Sequence, residues 1–358
     1  MKKILIISLV ILITGLMLCI FFYFYGKENL EKYTIIKNDK FSIILPKNLK
    51  GFYESEIGDD KIMIYDKNAK KEGFGGFAFG IVLYKNPAEH AQMPGGKKIG
   101  EFKDDKNVLY DVVLVRPTDV QYNYTKPITE SYKNLYDFGN DVRIEGLNGN
   151  KYYKNQGMKG KYLYKNILHE YVKILNEKKD STWFEKNKMS YMYNVLAQNS
   201  NAEGKSIFDK VGFTFDDINA DGIEELLIGE IADGDWKGVV YDIYTMVDRK
   251  PEHVLSGGSR NRFFVCNDVF LCNEYSSGAE ESGMRVYILL ENSTEIFPQV
   301  GFKYDGYTNK KSPWFLSYGD FTKDSDWENV SEEKYKERKS TFDKYKRFNY
   351  IPFSKIRF

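Results

Sequence analysis

Cysteine is scarce in this chain: there are three among 358 residues, with only Cys266 and Cys272 beyond residue 19. A disulfide scaffold is therefore excluded, and folded domains must be held together by packing. Histidine is as rare, limited to His90, His169 and His253, and no Gly-x-Ser-x-Gly elbow occurs. A serine hydrolase has little to start from. Net charge is nearly absent, since 52 basic residues against 51 acidic ones leave +1. Such a balance gives no sequence-independent attraction to polyanions, and nucleic acid is not an expected partner. What remains is a globular composition, 42% hydrophobic and 16% aromatic, long enough for two ordinary domains.

Charge is missing altogether from one stretch. After Lys2 and Lys3, the run from Ile4 to Tyr25 carries no charged side chain. As a helix rising ~1.5 Å per residue it would span ~33 Å, against a hydrocarbon core of ~30 Å. This predicts a transmembrane anchor within residues 1–29, the membrane being engaged through residues 4–25. A cleaved signal peptide needs an apolar core of about 7 to 15 residues and small residues at the cut. Here Leu16, Met17, Leu18, Cys19 and Ile20 lead instead into Phe21, Phe22, Tyr23, Phe24 and Tyr25, which suit an interfacial aromatic belt. A lipoprotein would use Cys19, but Leu18 stands where a small residue belongs. Lys2 and Lys3 have no acid nearby, whereas Lys27 and Lys32 are interleaved with Glu28 and Glu31. The expected topology is a single pass of the cell membrane, N-terminus in the cytoplasm and the bulk of the chain extracellular.

Residues 30–144 read as the first extracytoplasmic domain. Phe41, Ile43 and Leu45 mark a strand closed by Pro46, and Ile62, Ile64 and Tyr65 suggest a second. The segment from Gly73 to Tyr84 superficially matches Gly-x-Gly-x-x-Ala, but a phosphate loop needs a helix after its glycines and here a strand follows. Phe77, Phe79, Ile81 and Leu83 would line one face of that strand, and Gly76, Ala78, Gly80 and Val82 a small face open to a helix. Val108 to Val115 is another apolar strand, interrupted by Asp111, and a helix with Tyr132, Leu135 and Tyr136 follows up to Gly139. Together Phe41–Lys47, Ile64-Tyr65-Asp66 with the following Gly-Phe-Gly-Gly-Phe, Met93–Gly96 and Tyr110–Val113 through Arg116–Asp119 resemble an uncharacterised extracytoplasmic α+β domain. It belongs to anchored or lipoprotein-type surface proteins of clostridial and related Gram-positive bacteria. The resemblance covers about residues 35 to 142, implies a surface location and brings no activity. Residues 145–160, rich in Gly, Asn and Lys, read as a linker.

The second domain, 161–358, opens on a helix with Leu163, Ile167, Leu168, Tyr171, Ile174 and Leu175 on one side, and a further helix is expected around Met189 to Gln198. After a strand at Val211 to Phe215 comes the one specific motif, Asp217-Ile218-Asn219-Ala220-Asp221-Gly222-Ile223-Glu224-Glu225. Oxygens at the first, third, fifth and ninth positions, with glycine at the sixth, are what a hard cation takes from a short loop, and calcium is the natural occupant. The twelfth position is Ile228 and strand-like sequence flanks the loop. It therefore resembles the strand-loop-strand calcium loops of integrin-type (FG-GAP-like) surface repeats, in a single copy. That resemblance implies Asp217, Asn219, Asp221 and Glu225 as side-chain ligands and Ile223 as a carbonyl ligand. The plainer alternative is a polar hairpin turn.

Successive antiparallel strands follow at Val239–Met246, Arg262–Cys266, Val269–Tyr275, Met284–Leu290 and Gly301–Tyr304, then a charged helix around Glu332 to Tyr345. Reading Asn267-Asp268 as a two-residue turn sets Cys266 against Val269 and Cys272 against Phe263. The two cysteines are then ~10 Å apart along the ladder, beyond the ~7 Å limit for a bridge, so free thiols are expected; a five-residue loop would instead bring them together. Glu230, Asp233, Asp235, Glu280 and Glu281 read as solvated acids. The fold expected is α+β, an N-terminal transmembrane helix followed by two domains, each an antiparallel β-sheet with packed helices. The function expected is that of a non-catalytic anchored surface protein with a calcium-stabilised second domain. The alternatives are a membrane-tethered envelope hydrolase or a glycan-binding protein, with a cell-wall glycan or surface protein as partner.

Overall fold

The computed structural model describes residues 33–91, 95–177, 179–321 and 323–358. The expected anchor lies outside these, and among the described residues no helix is long and apolar enough to cross a membrane. The fold is α+β, and every strand pairing described is antiparallel. The residues form two compact units, one holding the chain to Lys85 and again up to Lys154, the other holding the segment from Asn86 together with Asn155–Phe358.

In chain order the first stretch holds β1 (Tyr33–Lys37), β2 (Phe41–Pro46), β3 (Tyr53–Ile57), β4 (Lys61–Asp66), α1 (Lys67–Lys71) and β5 (Phe77–Tyr84). After α2 (Pro87–His90), which groups with the other unit, come β6 (Gly96–Lys103), β7 (Leu109–Val115), α3 (Glu130–Phe138), β8 (Arg143–Gly146) and β9 (Lys151–Lys154). The strands form a three-stranded sheet, β1-β2-β8, and a six-stranded sheet, β3-β4-β5-β7-β6-β9. Phe41, Ile43, Leu45, Ile64, Phe79, Ile81, Phe102, Val112 and Leu114 make one buried core with Tyr132 and Leu135 of α3. Thr129 starts that helix by accepting the N–H of Tyr132. Two details depart from expectation. The helix meets the large face of β5, Phe138 lying 6.4 Å from Phe79 between ring centroids. The stretch 145–160 is not all linker, because β9 pairs with β6 and half-buries Tyr152, whose hydroxyl donates to the Ile99 carbonyl at 3.1 Å.

The second unit opens on α4 (Lys165–Asn176), α5 (Ser181–Lys186), α6 (Met192–Ala202) and α7 (Ile207–Lys210). Its strands are β10 (Val211–Asp216), β11 (Glu225–Glu230), β12 (Val240–Val247), β13 (Lys250–Ser256), β14 (Asn261–Cys266), β15 (Phe270–Ser276), β16 (Glu281–Leu289), β17 (Ile296–Asp305), β18 (Trp314–Tyr318), β19 (Glu328–Asn329) and, after α8 (Glu332–Ser340), β20 (Ile351–Pro352). They form one sheet in the order β19-β18-β17-β16-β15-β14-β12-β11-β10-β20, with β13 also on β12. Leu168, Tyr171 and Ile174 of α4 and Met192, Tyr193 and Leu196 of α6 pack with Phe213, Leu226, Ile228, Tyr241 and Phe264. A separate core gathers Leu227, Val240, Ile243, Phe263, Val265 and Leu271, and alternation along each strand is what feeds both.

The cysteine expectation is overturned. Cys266 pairs with Phe270 and Cys272 with Phe264, so the turn takes in Val269 as well as Asn267 and Asp268. A one-residue change of register moves a strand's side chains to the other face. Cys266 and Cys272 thus become diagonal neighbours on one face, bridged, with Cα atoms 6.2 Å apart.

Candidate functional site

The nine-residue motif lies between β10 and β11, a strand-loop-strand arrangement whose mouth is the cross-strand pair Asp216 and Glu225. Its turns need left-handed backbone: φ is +63° at Ala220 and +95° at Gly222, the latter a conformation that favours glycine. The side chains fold onto the loop's own amides. Asp217 Oδ2 accepts from the Gly222 N–H at 3.1 Å, Asn219 Oδ1 from Asp221 at 3.2 Å and Asp221 Oδ1 from Ile223 at 2.7 Å. Glu225 accepts the Ile218 N–H at 3.0 Å and, at its other oxygen, the Thr245 hydroxyl at 3.0 Å. From outside, the Tyr164 hydroxyl donates to the Glu224 carbonyl at 2.7 Å and the Gly160 N–H to the Glu224 carboxylate at 2.8 Å.

Burial makes the loop electrostatically costly. Asp221 is 2% exposed and Glu225 fully buried. Desolvation first, then the charge of Asp217, pushes Asp221 up to about 6, and desolvation with the Asp221 charge carries Glu225 well above the usual carboxylate range. A further acid joins from the turn after β16. Burial, then the charges of Asp221 and Asp217, push Glu291 up to about 7, and its Oε2 is buried with no hydrogen-bond partner among the described residues. Glu291 and Thr245 are far from the motif in sequence, and nothing local in the chain points to them. Among the described residues, no three His, Cys, Asp or Glu side chains are arranged to hold a metal ion. The loop's oxygens keep further lone pairs beside the amides they accept from, so ion binding requires the carboxylates to close in.

A second polar cluster centres on Asp242 of β12, fully buried. Its Oδ2 accepts the hydroxyls of Tyr171 at 2.7 Å and Tyr193 at 2.5 Å, and its Oδ1 accepts the Ser190 N–H at 3.2 Å and the Ser256 hydroxyl. His253 Nε2 stands 3.2 Å from Asp242 Oδ1 and 3.2 Å from Ser256 Oγ. Serine, histidine and aspartate here are not a relay, because a relay uses one imidazole nitrogen for serine and the other for aspartate. The same nitrogen faces both partners, and the Ser256 proton points at the carboxylate. The cluster instead ties α4, α6, Ser190 just ahead of α6, and β13 to β12. Ser256 and Ser190 also edge a cavity of about 490 Å³, lined further by Glu185, Lys188, Tyr191, Gly258 and Asn261.

Of the remaining polar residues singled out in the sequence, His90 lies close enough to Asp221 to oppose the rise of its carboxyl, and the others are dispersed. Glu230 accepts the Tyr241 hydroxyl at 2.9 Å, and Glu281 the Ser277 hydroxyl at 2.7 Å. The His169 ring stacks on Phe358, 3.5 Å between centroids. In comparisons with known proteins, no family model, no curated protein and no solved structure matches the chain.

Proposed function

We propose that the chain is a non-catalytic, membrane-anchored extracytoplasmic protein whose second unit is stabilised by one calcium ion at Asp217, Asn219, Asp221, the Ile223 carbonyl and Glu225. The observation that carries this is the burial of Asp221 and Glu225 beside Asp217, with Glu291 turned toward the same charges. The nearby His90 works against the rise at Asp221 without cancelling it, and buried carboxylates left above their usual range take a proton or a metal. The alternation of acid, amide and acid in an oxygen-only loop suits calcium better than a thiol- or imidazole-seeking metal. No bidentate glutamate stands at the twelfth position, so the affinity expected is ~10⁻⁴ to 10⁻³ M, matched to a millimolar external pool. Export is supported by the apolar run at 4–25 and by the Cys266–Cys272 bridge, which belongs to an oxidising compartment. The resemblance to surface proteins of Gram-positive bacteria points the same way.

The test is the melting of the full-length protein in detergent with calcium and with chelator. Saturation at ten times the dissociation constant adds ~1.4 kcal/mol by mass action, a shift of a few degrees that magnesium does not reproduce. Identical curves overturn the calcium reading. Protease added to intact cells should remove both units and leave a small membrane-held stub, and release of the full-length chain into the medium overturns the anchor.

A second reading, glycan binding, has one observation in its favour. The cavity beside Ser256 presents Tyr191, 46% exposed, next to Glu185, Asn261 and the backbone of Gly258. A ring to stack on and polar groups at its rim are what a sugar face needs. Titration with oligomers of β-1,4-linked N-acetylglucosamine, followed by tyrosine fluorescence and repeated on Tyr191→Ala, decides it; no change in the native protein overturns it.

A further inference from the structure

In the first unit, β6 and β7 bury a lysine between two acids. Lys98 is 1% exposed, Asp111 1% and Glu101 8%. The Lys98 Nζ lies 2.8 Å from Asp111 Oδ1 and 3.6 Å from Glu101 Oε1. Glu101 and Asp111 are direct cross-strand partners. Lys98, three residues earlier on β6, would point to the opposite face of a regular strand. The bulge between Lys98 and Gly100 adds one residue and turns it to the same face. The backbone irregularity thus assembles the trio. Fully buried lysines are almost never found unless paired, and an ion pair held in a desolvated site carries the cost of taking both charges out of water.

We propose that Lys98 and Asp111 are a modification site, their side chains condensing to an intramolecular amide with Glu101 carrying the proton. The balance is simple. A proton passes from the ammonium to the Asp111 carboxylate, leaving a neutral amine against a neutral acid. The nitrogen lone pair attacks Asp111 Cγ, one bond beyond the oxygen it already touches. Glu101 takes a proton from the nitrogen as the C–N bond forms and returns it to the Asp111 hydroxyl, which leaves as water. One ammonium and one carboxylate become one amide and one water, Glu101 ends as it began, and no oxidant, reductant or activating group is needed. Positioning supplies the drive, since held reactants reach effective molarities of ~10⁵ to 10⁸ M when the reacting atoms sit ~3 to 3.5 Å apart. Removal of two buried charges favours the product.

The decisive measurement is the intact mass of the full-length protein, reduced and denatured, with proteolytic mapping of the segments carrying Lys98 and Asp111. The result expected is one water less than the sequence requires, localised to a branched peptide that joins the two segments. Lys98→Arg keeps the charge and lacks the attacking amine, and it should restore the full mass, as should Asp111→Ala. Glu101→Gln, if folded by circular dichroism, should remain unlinked; a linked Glu101→Gln protein overturns the role given to Glu101. Full mass in the native protein overturns the bond and leaves a buried ion pair. A water lost instead as a cyclic imide at Asp221-Gly222 overturns it too. Because the native protein decides, a variant that fails to fold does not blunt the test.

Discussion

Asp216 and Glu225 face each other across the last rung of the β10–β11 ladder, so everything between them is a loop closed at its base by a carboxylate pair. Glu225 is buried, accepting from the Ile218 amide and Thr245, and the half-buried Asp216 is met by Lys346 at 2.6 Å. One acid of the pair is matched by a lysine and the other is buried among like charges. The difference in partners assigns the first to an ion pair with Lys346 and the second to the proposed ion site.

That asymmetry predicts opposite outcomes for one substitution in two buffers. Asp221→Asn removes a buried charge while keeping an oxygen for the Ile223 amide. In chelator the variant should melt above the native protein, by the equivalent of ~1 kcal/mol or more, since like charges repel strongly in a dry site. In calcium the order should reverse, the native protein gaining and the variant not. Calorimetry in both buffers checks it, and a variant that loses stability equally in each would show that the loop is only a turn.

The Asp242 cluster predicts a structural penalty without a catalytic one. Asp242→Ala strands the hydroxyls of Tyr171 and Tyr193 and the Ser190 amide in the core. Each orphaned buried donor costs about 1 to 3 kcal/mol, so the variant should lose several kcal/mol in urea unfolding. Tyr193→Phe should lose about 1.5 to 3 kcal/mol, the range for hydrogen bonds to a charged group. Ser256→Ala should leave hydrolysis of activated esters at the level of the native protein. A fall in ester turnover would revive the hydrolase reading.

How much of this was legible in the chain depended on whether a signal was local. The spacing of Leu168, Tyr171 and Ile174 announces α4, and the apolar runs around Phe79 and Val112 announce β5 and β7. The loop from Asp217 to Glu225 is visible whole, because its residue types and its glycine are consecutive. By contrast β13, with Pro251 between Lys250 and Glu252, looks like a loop and is held by its pairing to β12. Glu291 and Thr245 reach the loop only through tertiary structure. The Asp242 and Asp111 clusters were half-visible: each acid interrupts an otherwise apolar strand, Val240–Val247 and Leu109–Val115. A buried acid demands partners, yet those partners come from other elements. The cysteine pairing turned on a single residue of turn length, the kind of boundary that side-chain periodicity does not fix.

The bridge between Cys266 and Cys272 should be complete in protein purified without reductant. Alkylation before reduction should label neither residue, and alkylation after reduction both. Closing so short a segment contributes ~2 kcal/mol in the chain-entropy account, so reduction should lower the melting temperature by a few degrees without unfolding the protein. Label on the unreduced protein at either position would mean that the hairpin holds free thiols.

The first unit should fail at high pH through its tyrosines. Tyr132 donates its proton to the Phe77 carbonyl at 2.8 Å and Tyr152 to the Ile99 carbonyl at 3.1 Å. Ionisation therefore breaks a hydrogen bond and sets a phenolate against a carbonyl oxygen. Burial, chiefly, pushes both phenols up to about 12 from 10. A folded-state pKa above the unfolded one means that the folded form keeps the proton longer. The stabilisation is whole below pH ~10, where both states are protonated, and drains away as pH rises toward ~12. Tyr132→Phe should cost about 1 kcal/mol at neutral pH through the lost hydrogen bond, and should flatten the alkaline decline because the group that titrates is gone. Urea unfolding of native and variant proteins at neutral pH and between pH 10 and 12 measures both effects. A native protein whose stability is unchanged across that window, or a variant that declines as steeply, would show that these hydroxyls reach water and that the β5–α3 contact is looser than its hydrogen bond implies.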